Sequence, residues 1–264
     1  MLKKPEFLGP DHAAKFKYQS MAHAYQYRPS YSDEVFDTLG GLLQDTPRNV
    51  LDAGCGPGKI VLGLVERVDR IDAVDFSQAM IDEGKALPGG NNSKINWICS
   101  AIEDAELFPP YALIVTGASL HWMDWNAVFP RFQKLLTKHG VLAIVEGDRP
   151  FNAPWKQAEK ALIKTYSTNQ NYQPYDMIEQ FIHHGIFEKL GEKTTHPVSF
   201  TQSVGEYGES FHARESLCKD TMGSEAVQAF DAELTEILKP FSRGNVVTFE
   251  VCTRITWGFP LTTL

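Results

Sequence analysis

The strongest constraint on this chain is a short apolar run, Asn49-Val50-Leu51-Asp52, that is cut off by three glycines at alternate positions, Gly54, Gly56 and Gly58. Apolar residues then recur at helical spacing at Ile60, Val61, Leu64, Val65 and Val68. A run of that length broken by glycine reads as a buried strand, and the 3.6-residue spacing after it reads as a helix. A loop without side chains between them lets backbone N–H groups approach a ligand closely. The spacing is Gly-x-Gly-x-Gly. In the dinucleotide fingerprint Gly-x-Gly-x-x-Gly the third glycine would fall at Lys59. A glycine-rich turn with no ligand is the plain alternative for the loop by itself. Asp75 weighs against it, because it ends the next expected strand, a little short of the ~20 residues after the loop at which an acid takes ribose hydroxyls in nucleotide-binding units.

Strand and helix patterns alternate around this loop. Ser32 is placed as the N-cap of a helix carrying Val35, Phe36, Leu39, Leu42 and Leu43, with Asp33 and Glu34 in its first turn. Strands are expected at 49–52, 71–75, 95–99, 113–116 and 141–145, and helices at 60–68, 77–86 and 125–137, with a turn at His139-Gly140. The order implies right-handed crossovers and a doubly wound, mostly parallel sheet. The second half is less regular. Helices are expected near 155–167, 175–184, 203–218 and 224–239, a strand near 187–195, and one long final strand from Val246 to Trp257, antiparallel to the rest. The chain is read as a single domain, 1–264, with an N-terminal lid at 1–32, a ligand-binding core at 33–147 and a substrate-side half with helical insertions at 148–264.

Composition excludes several classes. The 264 residues are 43% hydrophobic and 22% charged, with a net charge of −8. A chain that recognises phosphate backbones normally carries a basic face, so nucleic acid is not the expected substrate. The start, Met1-Leu2-Lys3-Lys4, leads into Pro5, Glu6, Gly9 and Pro10 rather than a signal-peptide core. No stretch approaches the ~18–20 apolar residues of a membrane span. Cys55, Cys99, Cys218 and Cys252 lie far apart and read as reduced thiols of a cytoplasmic protein, with no metal site.

At this point the residues resemble a family. Asp52-Ala53-Gly54-Cys55-Gly56-Pro57-Gly58 looks like motif I of class I S-adenosylmethionine-dependent methyltransferases, and Val74-Asp75-Phe76-Ser77 with Met80 resembles their next motif. The resemblance implies a Rossmann-like fold in which the Gly54–Gly58 backbone lies along the methionine part of the cofactor. It also implies Asp75 on the ribose hydroxyls and Phe76 and Met80 against adenine. Ser100-Ala101-Ile102-Glu103-Asp104 resembles the adenine-binding segment, with Ala101 where the family often has Asp. Ala118-Ser119-Leu120-His121-Trp122 is similar to the type 11 group that includes trans-aconitate methyltransferase, in which His-Trp follows the fourth strand. Tyr18, Ala22, Tyr25, Arg28-Pro29 and Tyr31 resemble that group's lid. The motif I string is also shared with the carboxyl methyltransferases of biotin synthesis.

The implied function is methyl transfer from S-adenosylmethionine to a small-molecule acceptor, at a carboxylate or hydroxyl oxygen, by a monomer or homodimer. A non-catalytic S-adenosylmethionine-binding protein and a nicotinamide-dependent oxidoreductase are the alternatives. Transfer from a sulfonium is an in-line displacement, so alignment matters most, and a base is needed only if the acceptor carries a proton. His121 is the candidate base or substrate ligand; the other reading is a loop histidine packed on Trp122. Trp122 and Trp125 either wall an acceptor pocket or anchor their loop. Arg28 offers a bidentate partner to a carboxylate of cofactor or substrate, with Tyr25 and Tyr18 beside it. Cys55 reads as a small packing residue.

Overall fold

The computed structural model describes residues 2–147 and 150–262. Met1, the first two residues of the expected 148–264 segment, Thr263 and Leu264 lie outside the described residues. The strands are β1 (Asn49–Ala53), β2 (Arg70–Asp75), β3 (Ile95–Cys99), β4 (Tyr111–Gly117), β5 (Leu136–Glu146), β6 (Pro150–Phe151), β7 (Phe187–Thr194), β8 (Val198–Ser203), β9 (Val246–Val251) and β10 (Arg254–Pro260). The helices are α1 (Pro10–Ala14), α2 (Gln19–Ala24), α3 (Asp33–Gly41), α4 (Lys59–Leu64), α5 (Gln78–Ala86), α6 (Trp125–Leu135), α7 (Lys156–Tyr166), α8 (Met177–His183), α9 (Val204–Phe211), α10 (Lys219–Met222) and α11 (Ser224–Leu238).

Seven strands form the main sheet in the order β3-β2-β1-β4-β5-β10-β7. β1 pairs in parallel with β2 and β4, β2 with β3, and β4 with β5, while β10 runs antiparallel to both β5 and β7. Each side of the central strands is covered, as near-continuous apolar runs require. Val50, Leu113, Val115, Ala143 and Val145 pack on one face beneath α3 and α4. Leu51, Ile114, Leu142 and Ile144 pack on the other against Trp125, Phe129 and Phe132 of α6 and Phe181 of α8. A second, three-stranded sheet, β6-β9-β8, closes a third core with Trp155, Tyr207, Phe211 and Phe230 from the C-terminal helices. Among the described residues no helix is long and apolar enough to cross a membrane.

The doubly wound sheet and its antiparallel C-terminal strand follow the sequence expectation, and several local readings change. Ser32 sits at the N-cap of α3 but its side chain caps nothing, and its Oγ has no partner. The helix expected at 60–68 ends at Leu64 and tightens into a 3₁₀ turn over Val65–Arg67. The expected turn at His139-Gly140 lies inside β5. Asp45 accepts the His139 backbone N–H at 2.8 Å and contacts its Nδ1 at 2.8 Å, so a side chain holds the stretch extended. A register shift between Tyr111 and Leu113 absorbs the irregularity.

The single strand expected from Val246 to Trp257 is two strands in two sheets. Thr253 sits in the crossing: its N–H donates to Thr195 Oγ1 at 3.0 Å and its Oγ1 to the Gly147 carbonyl at 3.0 Å. β-branched residues run through the whole stretch, so neither glycine nor proline marks the break. β8 occupies 198–203, where no strand was expected, and the helical stretch from 203 ends at Phe211.

Candidate functional site

In an open parallel sheet, ligands bind beyond the carboxyl ends of the strands where the strand order reverses. Here the chain steps outward through β1, β2 and β3, then returns to the other side of β1 with β4, so the reversal lies between β1 and β4. A cavity opens there, with about 980 Å³ of empty space counting its mouth. Its floor is the loop after β1, one side is formed by the ends of β2 and β3, the other by the segment after β4, and its roof by the N-terminal segment.

Gly54, Gly56 and Gly58 all have left-handed backbones, with φ of 72°, 53° and 78°. Their surroundings differ. A Cβ on Gly54 would lie 2.4 Å from Ser119 Cβ, and one on Gly58 would lie 2.5 Å from the Trp97 ring. A Cβ on Gly56 would meet nothing within 4 Å. Two of the glycines therefore admit neighbouring side chains, and Gly56 keeps open space clear above the loop. The loop is held from behind by Gly54 and Cys55 N–H bonds to the Val74 carbonyl, at 2.8 and 2.9 Å, and by Ser119 Oγ on the Ala53 carbonyl at 2.6 Å.

Asp75 ties the two strand ends together. Its carboxylate accepts from Gly56 N and Ser77 N, each at 2.9 Å, and faces the cavity. Burial raises its pKa, while those two backbone bonds oppose the rise. Asp52 is more extreme. It is 1% exposed, lines the cavity, and neither of its carboxylate oxygens has a partner. Burial, helped by the charge of Asp75, pushes its pKa up to about 8. Orphaned buried carboxylates are rare because desolvation is costly without a compensating bond. A cationic group entering the cavity would satisfy this one.

Most of the sequence-expected residues converge on this space. Gly54, Cys55, Gly56, Asp52 and Asp75 form its floor, Phe76, Met80, Ala101 and Ile102 its β2–β3 side, and Ala118 and Trp122 the side after β4. Ala118 does so with a left-handed backbone, φ 51°, which is uncommon outside glycine and marks strain at the site. Tyr25 and Arg28 come from the roof, with the guanidinium 4.9 Å from the Tyr25 ring centre. Burial drives the Cys55 thiol pKa well above its ordinary value, which fits packing rather than nucleophilic chemistry.

Five residues do not line the cavity. Ala53 is the buried last residue of β1, and Gly58 packs against Trp97 at the head of α4. Tyr18 is 42% exposed on the outside of the lid. Trp125 is 1% exposed and donates Nε1–H to the Leu120 carbonyl at 2.9 Å while stacking on Tyr175, so it anchors its loop and core. His121 packs with its ring 4.5 Å from that of Trp122 and is not among the residues that line the cavity. Conversely, Phe16, Tyr31, Lys59, Glu103 and Ser119 line the cavity without having been picked out as its contacts. Tyr31 and Glu103 belong to segments already singled out; Phe16 carries no local signal. It enters because Ser77 Oγ donates to its carbonyl at 2.8 Å and its ring leans on Trp122 at 5.5 Å.

Comparison with known proteins gives the following similarities. Residues 50–140 match the family described as "Methyltransferase domain". The chain is 34% identical over 140 residues to a malonyl-[acyl-carrier protein] O-methyltransferase of Anoxybacillus flavithermus, covering 52% of this chain and 53% of that protein. It is 35% identical over 131 residues to a trans-aconitate 2-methyltransferase of Escherichia coli, covering 47% of this chain and 46% of that one. The chain thus spans about half the length of the curated relatives it matches. In fold it is similar to a putative type II methyltransferase from Anaeromyxobacter dehalogenans, with a TM-score of 0.61 at 18% identity, covering 89% of this chain and 99% of that one.

Proposed function

We propose that this chain, whose residues 50–140 match the family described as "Methyltransferase domain", is a class I S-adenosylmethionine-dependent methyltransferase that transfers a methyl group to the carboxylate oxygen of a small organic acid. The observation that carries the reading is Asp52, a buried carboxylate with both oxygens unpartnered at the floor of a cavity that Gly56 leaves open. The cofactor's amino group is the cation that fits it. Asp75 keeps lone pairs beyond its two backbone bonds for vicinal hydroxyls, and Phe76, Met80 and Ile102 offer apolar surface to a base. Arg28 suits a carboxylate, the only anionic group the cofactor carries.

When bound, the cofactor supplies an electrophilic methyl group on a sulfonium. The chain's part is to hold an acceptor oxygen in line and to exclude water. A carboxylate acceptor has no proton to lose at neutral pH, so it needs no base, in keeping with His121 not being among the residues that line the cavity. Phe16 and Tyr25 in the roof, with Trp122 on the side after β4, give the cavity an aromatic lining suited to the apolar body of such an acid. The similarity to enzymes named for malonyl-[acyl-carrier protein] and trans-aconitate supports an acid, since both compounds bear carboxylates. A net charge of −8 supports a small molecule over nucleic acid, and four free cysteines support a reducing compartment such as the cytoplasm.

The test is a panel of mono-, di- and tricarboxylic acids and their thioesters with methyl-labelled S-adenosylmethionine. Label is expected in a base-labile ester that releases methanol on mild alkaline hydrolysis. Base-stable label, or transfer only to amines, would overturn the carboxylate assignment.

A further inference from the structure

We propose that Lys59 is a positioning residue: it clamps the Arg28-Pro29 stretch of the lid in place and so presets Arg28 for the cofactor, an inference that rests on the methyltransferase reading above. Lys59 is the first residue of α4, directly after the glycine loop, and it lines the cavity. Its ammonium donates to two consecutive lid carbonyls, those of Arg28 and Pro29, the second at 3.0 Å. Two bonds to neighbouring carbonyls fix the orientation of a segment as well as its distance. Both are charge-assisted, and so stronger than neutral bonds of the same geometry.

The position itself calls for an explanation. A cation at the first position of a helix lies at the positive end of the helix dipole and gains nothing from it. The lid needs the support, because Arg28 also lines a second, smaller hollow on its other side, together with Pro29, Gln202, Tyr207 and Arg214. A backbone stretch between two hollows lacks the dense side-chain packing that fixes interior segments. A further tether, Gln202 Nε2 to the Tyr27 carbonyl, is long at 3.3 Å. Lys59 thus joins the element that forms the cavity floor to the one that forms its roof.

Two measurements test this, one without ligand. In ligand-free protein, amide deuterium exchange over residues 25–31 is expected to rise about tenfold in Lys59→Met, with residues 60–64 unchanged. In calorimetry with S-adenosylhomocysteine, Lys59→Met is expected to bind about tenfold more weakly and Lys59→Arg within about threefold of wild type. In an Arg28→Ala background, adding Lys59→Met should cost less than about twofold, because its effect runs through Arg28. Unchanged exchange at 25–31 would overturn the clamp. So would an affinity loss that multiplies in full with that of Arg28→Ala, which would make Lys59 a direct ligand. If wild type fails to bind S-adenosylhomocysteine, the methyltransferase reading falls, and the exchange comparison still judges the clamp.

Discussion

Gly54, Gly56 and Gly58 share a left-handed backbone but face different neighbours, so substitutions there separate the fold from the site. Gly54→Ala and Gly58→Ala drive a methyl group into Ser119 and the Trp97 ring, and are expected to cost about 1–3 kcal/mol from overpacking beyond the backbone strain. Gly56→Ala meets open space, so it should cost only the strain, about 1–2 kcal/mol, and yet weaken S-adenosylhomocysteine binding at least about tenfold. Thermal melts and calorimetry on the three variants check the split. Asp52 gives a pH signature. The unfolded carboxyl ionises near pH 4, whereas the folded one holds its proton up to about 8. The folded state therefore binds more protons across that window, and this group's contribution makes stability fall as pH rises from about 4 to about 8. Asp52→Asn removes that contribution. Its melting temperature relative to wild type should climb between pH 5 and pH 8; a constant difference would refute the buried-carboxylate account. The glycines and both aspartates were legible in the sequence because their spacing in one strand–helix–strand unit is local. Lys59 and Phe16 were not, because their roles depend on where the lid lands.

At the scale of elements, the central strands and α5 could be read from periodicity, since each is a continuous buried run or carries its own cap. Ser77 illustrates the second case. Its Oγ accepts from Met80 N at 3.3 Å as the N-cap of α5 and donates to the Phe16 carbonyl, coupling that helix to the lid. Ser77→Ala is expected to cost about 1 kcal/mol through the lost cap, and to raise amide exchange around residues 15–18. A stability loss with no change in the lid would show the Phe16 bond to be idle. The stretches misread from sequence fail for identifiable reasons. β9 and β10 are joined without a turn residue, and the break follows from Thr253 bonding to Thr195 and Gly147, contacts more than fifty residues away in sequence. The long β5 persists through His139-Gly140 because Asp45 holds it. His121 packs on the Trp122 ring and Trp125 is buried in the core, the packing alternatives that the sequence had left open for both.

For the whole molecule, alternating strands and helices determine where a ligand can bind. The order reverses between β1 and β4, both faces of the sheet are covered, and the cavity lies beyond the carboxyl ends with the N-terminal segment as its roof. The three-stranded sheet and the helices that pack on it were the least legible part, because their core brings together residues from 153 to 251 with no repeating pattern. The identity of the acceptor depends on that half and on the lid. The identity of the cofactor depends on the loop, and it is the claim on which the rest stands. Calorimetric titration of the purified protein with S-adenosylhomocysteine, alongside NAD⁺, tests it most directly. The account predicts saturable one-to-one binding of S-adenosylhomocysteine, no heat from NAD⁺, and at least about tenfold weaker binding in Asp75→Ala, which loses charge-assisted bonds to two hydroxyls. Binding of NAD⁺, or an affinity for S-adenosylhomocysteine that Asp75→Ala leaves unchanged, would contradict it.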